Sequence, residues 1–238
     1  MMILRLGGFH SCMSFLTAMG SSMDFSGLKP VFCKFLAELS ASNALSGRAY
    51  FQGIRGHFLV NLGLSSIVLS MIDFSESEIE ELEKLSEKVG EPDFMSDREA
   101  FCTLKTKFEE KLEGLKKRGP TPQWWAQLIY MGTLLQNNIG AERSGNFGLH
   151  IKTIFEMLPY FYAAGHIHYA KYAHIYLQTM LRLKEMMKDA PEEYKEIVEL
   201  GFSTIRRTHK FWFGSWVDFV IEQMLMKNLK GRGGIIEH

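Results

Sequence analysis

Apolar residues recur at intervals of three and four positions through most of the chain, the spacing that lines up one face of an α-helix. Breaks are expected around Gly90–Pro92 and near Pro159, because glycine and proline interrupt regular helices. The pattern predicts helices over residues 10–19, 29–40, 46–72, 123–139, 145–157 and 163–187, two more within the charge-rich span 76–118, and another that begins at Pro191.

Only a few short segments have the composition of β-strands. Met2–Leu6 predicts a strand that ends at Gly7–Gly8, and Phe202–Thr208 and Phe211–Phe213 are further candidates. A strand needs neighbours to pair with, so these segments predict a sheet that is mostly missing from the chain. The expected fold is therefore mainly α, in one structural unit with weak β elements at its two ends.

Composition narrows the classes of function. Lys+Arg and Asp+Glu both number 27, so a globally basic nucleic-acid coat is excluded, although a local basic patch is not. The three cysteines are widely spaced and form no CxxC pair, which indicates reduced thiols rather than a disulfide framework or a zinc site. No run of about 18 apolar residues predicts a membrane span. P-loop, dinucleotide-binding and G-x-S-x-G patterns are absent from the sequence.

Two central segments mix groups that could carry chemistry. The stretch Ala141–Asn146, with His150 close behind, predicts a capped turn in which Asn146 or Ser144 is the N-cap and Glu142 pairs with Arg143. The histidine-rich stretch 165–174 lacks the i, i+4 histidine pair of a zinc helix, and its tyrosines predict ordinary helix packing. A metalloprotein that uses His150, His166 and His168 is a weaker alternative.

The last part of the chain combines cations, aromatic residues and acids. The densest cluster is Ile205–Trp212, whose composition suits phosphate contact and base stacking as well as it suits an amphipathic edge strand. Asp218 and Glu222 are four residues apart and share a helix face, where they would hold a divalent metal or form a solvated helix end. The predicted nucleic-acid-binding residues are Arg206, Arg207, Lys210, Lys227, Lys230 and Arg232.

Four segments, taken in order, resemble the C-terminal part of an uncharacterised group of invertebrate mobile-element proteins. These are related to hAT-like transposases, which have a ribonuclease-H-like core and a large helical insertion. The segments are Leu4–His10, Ala141–His150, Met157–Phe161 with Ala164–Lys171, and the Asp218/Glu222 helix with its Lys230–Gly234 tail.

The resemblance implies roles for these parts. Residues 1–24 would be a partial core strand and helix, 25–200 the helical insertion-like region, and 201–238 the returning strand and core helix. Glu222 would be the third acid of an Asp-Asp-Glu set and a metal ligand, with Asp218 on the same helix face and His10 at the end of the core strand. Mg²⁺ or Mn²⁺ would be the cofactor of an active full-length enzyme.

The resemblance also implies that the chain is catalytically incomplete, because the two aspartates of that set would precede residue 1. No cofactor is then expected for this chain alone. The alternative is a non-catalytic helical module that binds protein or DNA. DNA and a homo-oligomer are both open as partners, and no membrane partner is expected. The expected location is intracellular, and nuclear if the protein acts on DNA.

Overall fold

The computed structural model of the chain describes residues 7–87 and 98–195, and this part of the chain is helical. The mainly α fold is confirmed, while the three strand segments lie outside the described residues and stay predictions. The helices are α1 (Gly8–Ser22), α2 (Leu28–Phe32), α3 (Glu38–Leu45), α4 (Tyr50–Leu69), α5 (Glu76–Glu87), α6 (Arg98–Lys116), α7 (Pro120–Ser144), α8 (Phe147–Ala163) and α9 (Ile167–Met186).

Two predicted helix boundaries were wrong. The helix expected over residues 29–40 is two helices, because the chain leaves α2 after the buried Phe32 and Ala37 is extended before α3 begins. The break expected near Pro159 occurs later, between α8 and α9, where Gly165 adopts a φ of 73°. Pro159 lies inside α8 and has no backbone N–H to donate to the carbonyl of Phe155. Both residues are exposed, so water can donate to that carbonyl instead.

Backbone contacts divide the chain into two compact units. Among the described residues, the first comprises those up to Phe58 and those from 131 to 195, and the second comprises those between Leu59 and Tyr130, so α4 and α7 contribute to both. The predicted boundaries at residues 24 and 200 stay a prediction. Across the described residues, every helix is too short or too polar to pass through a lipid bilayer.

The first unit is built on α1, of whose 15 residues nine are buried. Phe15 on α1 packs edge-to-face against Phe161 on α8, with ring centroids 6.0 Å apart, and both side chains are fully buried. The helices α8 and α9 form the most extensive helix pair, and α3 lies against α1. Aromatic contacts of this kind and the apolar area that they bury stabilise the unit.

Close approach of α1 to α3 requires a glycine at position 20. A Cβ atom added at Gly20 would overlap the backbone carbonyl of Leu45, which cannot rotate away. We expect Gly20→Ala to lower the free energy of unfolding by about 1–3 kcal/mol, because backbone overlap outweighs the gain in helix propensity. Urea unfolding followed by far-ultraviolet circular dichroism measures this change.

Gly140 on α7 provides the matched control for Gly20. Apart from the nearby backbone of α7 itself, no atom of the described residues lies within 4 Å of the position that its Cβ would take. Gly140→Ala is therefore expected to raise the free energy of unfolding by about 0.5–1 kcal/mol. Equal effects of the two substitutions would contradict the close approach at Gly20.

The second unit contains an ion pair that joins α6 to the start of α5. The Lys107 Nζ donates to Glu78 Oε2 at 2.7 Å and lies 5.3 Å from the centre of the Phe74 ring. Ser75 caps α5, since its hydroxyl accepts the N–H of Glu78 at 3.4 Å, and its backbone N–H and hydroxyl donate to the Glu78 carboxylate at 2.8 and 3.0 Å. The Lys107 hydrogen bond first, and then those from Ser75, lower the pKa of Glu78 from 4.5 to about 2.

Removal of the Lys107 charge is expected to raise the pKa of Glu78 toward 4.5. The stabilisation from Glu78 is complete above pH 4.5 and is lost as the pH falls toward about 2, because the depressed pKa belongs to the folded state. Carbon-13 NMR titration of the Glu78 carboxyl in Lys107→Met measures the change. Lys105→Met removes only a more exposed ion pair with Glu109 and should leave the pKa of Glu78 unchanged.

Candidate functional site

A tight turn between α7 and α8 brings an acid and a histidine together. Gly145 adopts a φ of 73°, and the N–H of Asn146 donates to the carbonyl of Ala141 at 2.9 Å. Asn146 then caps α8 by accepting the N–H of Leu149 at 3.0 Å, which confirms the predicted N-cap. The turn sets His150, in the first turns of α8, against Glu142 near the end of α7.

Glu142, His150 and Tyr176 form a buried chain of acid, imidazole and phenol. The Glu142 Oε1 lies 2.7 Å from His150 Nδ1, and His150 Nε2 lies 3.1 Å from the Tyr176 hydroxyl. The Glu142 and His150 side chains are 6% and 1% exposed.

The Glu142–His150 contact is short but poorly aligned. At 2.7 Å the two atoms are within hydrogen-bonding distance, yet Nδ1 has no partner in the described residues that satisfies the angle of a hydrogen bond. The carboxylate therefore lies off the axis along which Nδ1 would donate. The attraction at this contact is therefore mainly electrostatic.

Further hydrogen bonds extend the chain to α1. The Thr153 hydroxyl donates to the carbonyl of His150 at 2.9 Å and accepts Nδ2 of Asn138 at 2.9 Å. The Asn138 Oδ1 in turn lies 3.7 Å from the Cys12 thiol, a weak donor. All of these groups are buried, so the network holds α1, α7, α8 and α9 in one arrangement.

A small cavity lies beside this network. Its volume is about 20 Å³, close to the space that one water molecule needs. Its wall includes Ser11 on α1, Asn138 and Glu142 on α7, and Tyr172 on α9. The other residues that line it are Gly8, His150, Ile154, Phe161, Ala173 and Tyr176.

One of the predicted site residues lies in the described part of the chain. His10 is in the first turn of α1, partly exposed, with its ring 5.2 Å from that of Phe9, and it does not line the cavity although Gly8 and Ser11 do. The others lie outside the described residues, and their predicted roles stay predictions. They are Asp218, Glu222, Arg206, Arg207, Lys210, Lys227, Lys230 and Arg232.

The weaker metalloprotein alternative finds no support in the described helices. His150 is buried against Glu142 and Tyr176, and His166 and His168 lie at the start of α9. Within residues 7–87 and 98–195, no three His, Cys, Asp or Glu side chains are placed together as metal ligands.

The sequence pointed to Glu142 and His150 but missed their relationship. It predicted a local pair between Glu142 and Arg143, and the structure adds a contact between Glu142 and His150 that the sequence did not predict. Tyr176 was grouped with an aromatic stripe of α9, and the structure adds its hydroxyl contact with His150. The available signal was an acid and a histidine on opposite sides of Gly145, which lets two helices fold back on each other.

Three of the four segments that carry the mobile-element resemblance meet at the cavity. Gly8 belongs to the first segment, Glu142 and His150 belong to the second, and Phe161 belongs to the third. These residues are far apart in the sequence, so folding alone brings them together. The fourth segment lies outside the described residues.

A family model with the description Domain of unknown function (DUF8702) matches the chain over residues 1–238. No curated protein matches the sequence. No solved structure matches it either.

Proposed function

This chain belongs to the DUF8702 family, and we propose that it is the C-terminal part of a DDE-type DNA transposase-like protein that is catalytically incomplete on its own. The observation that carries the proposal is the meeting of three resemblance segments at one cavity, lined by Gly8, Glu142, His150 and Phe161. Segments that serve a shared centre are expected to converge in space, whereas unrelated similarities would be scattered over the surface.

In the proposed function, phosphoryl transfer depends on residues at both ends of the chain. Glu222 would be the third acid and the metal ligand of this chain, Asp218 would share its helix face, and His10 would be close to the reacting phosphate. Carboxylates suit Mg²⁺ and Mn²⁺, which activate an attacking oxygen and stabilise the leaving one. The proposal takes the two aspartates of the set from outside these 238 residues, and we expect no DNA cleavage by the 238 residues alone.

The described helices support this centre by fixing the position of α1. The predicted core strand leads directly into α1 at Gly8, and α1 is held by its packing against α8 and by the Cys12–Asn138 contact. His10 projects from the first turn of this buried helix. A rigid α1 gives His10 a defined place, which a group that acts on a phosphate needs.

DNA binding by the chain tests the nucleic-acid part of the proposal. We expect a fluorescent DNA duplex to bind with an affinity that falls between about 50 mM and about 200 mM salt, because phosphate contacts release counterions. The triple variant Arg206→Gln/Arg207→Gln/Lys210→Gln should reduce the slope of log K against log salt by about 2.7 if each cation contacts one phosphate.

The matched control removes three exposed lysines elsewhere. Lys105, Lys117 and Lys188 are exposed, and their replacement by glutamine changes the net charge by the same amount. This control should leave the salt slope nearly unchanged. Equal effects of the two triple variants, or no DNA binding at low salt, would contradict the assignment of Arg206, Arg207 and Lys210.

Mapping the 5′ end of the native transcript tests the catalytic part. We expect an in-frame extension that encodes further strands with aspartates at their ends. When that longer protein is assayed for DNA strand transfer in Mg²⁺ or Mn²⁺, Glu222→Gln should abolish activity without unfolding the protein. A transcript that starts at Met1 would contradict the transposase proposal.

A non-catalytic helical interaction module is the second candidate, and exposed apolar side chains favour it. Phe155 and Tyr162 on α8 and Ile175 and Leu181 on α9 are between 46% and 66% exposed. Surfaces of this kind often contact other proteins. If they join copies of this chain, Phe155→Ser/Leu181→Ser should weaken self-association in sedimentation equilibrium while leaving DNA binding intact.

A further inference from the structure

The solvent-facing side of α4 carries far less charge than that of a helix such as α5. Eight residues of α4 are exposed, and Arg55 is the only charged one among them. Four of the eight are large and apolar, with exposed fractions between 50% and 66%: Phe51, Leu59, Leu62 and Ile67. Helix faces that stay in water usually carry charged and polar residues. A face that is short of charge and rich in apolar side chains is typical of a surface that another molecule covers.

Most of these residues form one continuous stripe. Phe51, Arg55, Leu59 and Leu62 follow one another at intervals of four, four and three positions, so they lie on one side of the helix. Gly63 lies beside the stripe and is also exposed. Apart from the nearby backbone of α4 itself, no atom of the described residues lies within 4 Å of the position that its Cβ would take. The missing side chain leaves room for a second helix to approach the backbone of α4 there.

Opposite charges lie at the two ends of the stripe. Arg48 lies just before α4 and Arg55 lies in its second turn, whereas Asp73 and Glu76 follow its last residue. No residue between positions 39 and 72 is acidic. All four charged residues are exposed, and none of them forms an ion pair within the described part of the chain. The surface is therefore basic where α4 begins, apolar along its middle and acidic just after it ends.

We propose that α4 binds α4 of a second copy of this chain, antiparallel and about a two-fold axis near Leu62. A two-fold contact uses the same surface in both copies, so that surface must complement itself. The antiparallel orientation meets this requirement, because the basic beginning of each helix lies against the acidic end of the other. A parallel pair would place like charges together. This inference goes beyond the proposed DNA function and does not depend on it.

The dipole of α4 favours the same orientation. The helix has no acidic residue in its first turn and no basic residue in its last turn, so side chains of those turns leave both ends of the dipole uncompensated. Arg55 and Leu69 are each seven residues from Leu62, which is about 10 Å along a helix. In the antiparallel pair, Arg55 of each copy therefore lies level with the last turn of the other copy's α4, where a cation is favourable.

Sedimentation equilibrium of the complete chain tests this inference. We expect the wild-type protein to form a dimer whose fraction rises with concentration. Leu62→Glu should raise the dimer Kd about tenfold or more, because the axis brings the two new carboxylates together and the apolar contact is lost in both copies. Leu181→Glu on α9 is the matched control, since Leu62 and Leu181 are 66% and 65% exposed, and it should leave the Kd unchanged. Because both positions are exposed, both variants should keep the far-ultraviolet circular dichroism spectrum of the wild type.

An exchange of charges between the two ends of the stripe tests the pairing of the copies directly. Arg48→Glu/Arg55→Glu makes both ends acidic, and Asp73→Lys/Glu76→Lys makes both ends basic. Each double variant alone should have a dimer Kd about threefold or more above that of the wild type, because like charges then meet at both ends. An equimolar mixture of the two should associate about as tightly as the wild type, because each acidic end then meets a basic end.

A wild-type protein that stays monomeric at every concentration would overturn the inference, and the occupant of this face would then be a different molecule. Equal effects of Leu62→Glu and Leu181→Glu would overturn it as well, since the copies would then associate through another surface, such as that of α8 and α9. The same conclusion would follow if the mixed charge variants associated no more tightly than either variant alone.

Discussion

Replacement of His150 by alanine is expected to lower the free energy of unfolding by about 3–5 kcal/mol at pH 7. The substitution removes the imidazole from the buried Glu142 carboxylate and from the Tyr176 hydroxyl, and it leaves a cavity between α7, α8 and α9. A buried polar group that loses its partner costs about 1–3 kcal/mol, and large-to-small changes in a core add a cavity penalty. Urea unfolding followed by far-ultraviolet circular dichroism measures the loss.

Two further variants show how much of that loss comes from the buried pair. His174→Ala removes a histidine on the exposed side of α9, where the ring Nε2 lies 3.0 Å from the Gln178 side-chain amide, and should change stability by about 0.5 kcal/mol or less. Tyr176→Phe deletes one hydroxyl and should cost about 1–2 kcal/mol. If His150→Ala lowered the free energy of unfolding no more than His174→Ala does, the buried Glu142 side chain would not need His150 as its partner.

Hydrophobic periodicity was enough to predict the class of fold because local spacing alone determines which residues face the core. Phe15, Leu16 and Met19 recur at helical spacing and are fully buried on α1, as the pattern indicates. The break between α2 and α3 was not predictable, since it depends on a distant contact. Phe32 is buried where Gly56 of α4 allows its ring to approach, and no local pattern encodes that approach.

The candidate site was only partly predictable, for a related reason. The role of a polar residue inside a core depends on its hydrogen-bond partners, which can be distant in the sequence. Tyr176 is 26 residues from His150 along the chain. Periodicity placed Tyr176 on a helix but carried no information about which hydroxyl or imidazole would face it. Asn146, in contrast, acts on its own helix through a contact three residues away, so local reasoning identified it.

His57 gives rise to the second large prediction, which concerns acid stability. Both of its ring nitrogens lack hydrogen-bond partners among the described residues, and its ring packs against Phe32 at 5.0 Å between centroids. Burial lowers the pKa of His57 from 6.5 to about 3. The unfolded chain takes up a proton below pH 6.5, whereas the folded protein does not until about pH 3, so folding is progressively disfavoured as the pH falls between them.

His57→Leu is therefore expected to protect the protein against acid. This residue contributes about 1.4 kcal/mol of destabilisation per pH unit, so the variant should be more stable than the wild type by roughly 3 kcal/mol near pH 4.5. At pH 7 the two should differ by about 1 kcal/mol or less, because neutral imidazole and leucine are both uncharged in the core. Urea titrations at intervals between pH 4 and pH 7 give this difference directly. His174→Leu is the control, and a pH dependence of stability that is identical in wild type and His57→Leu would show that His57 is protonated as readily in the folded protein as in the unfolded chain.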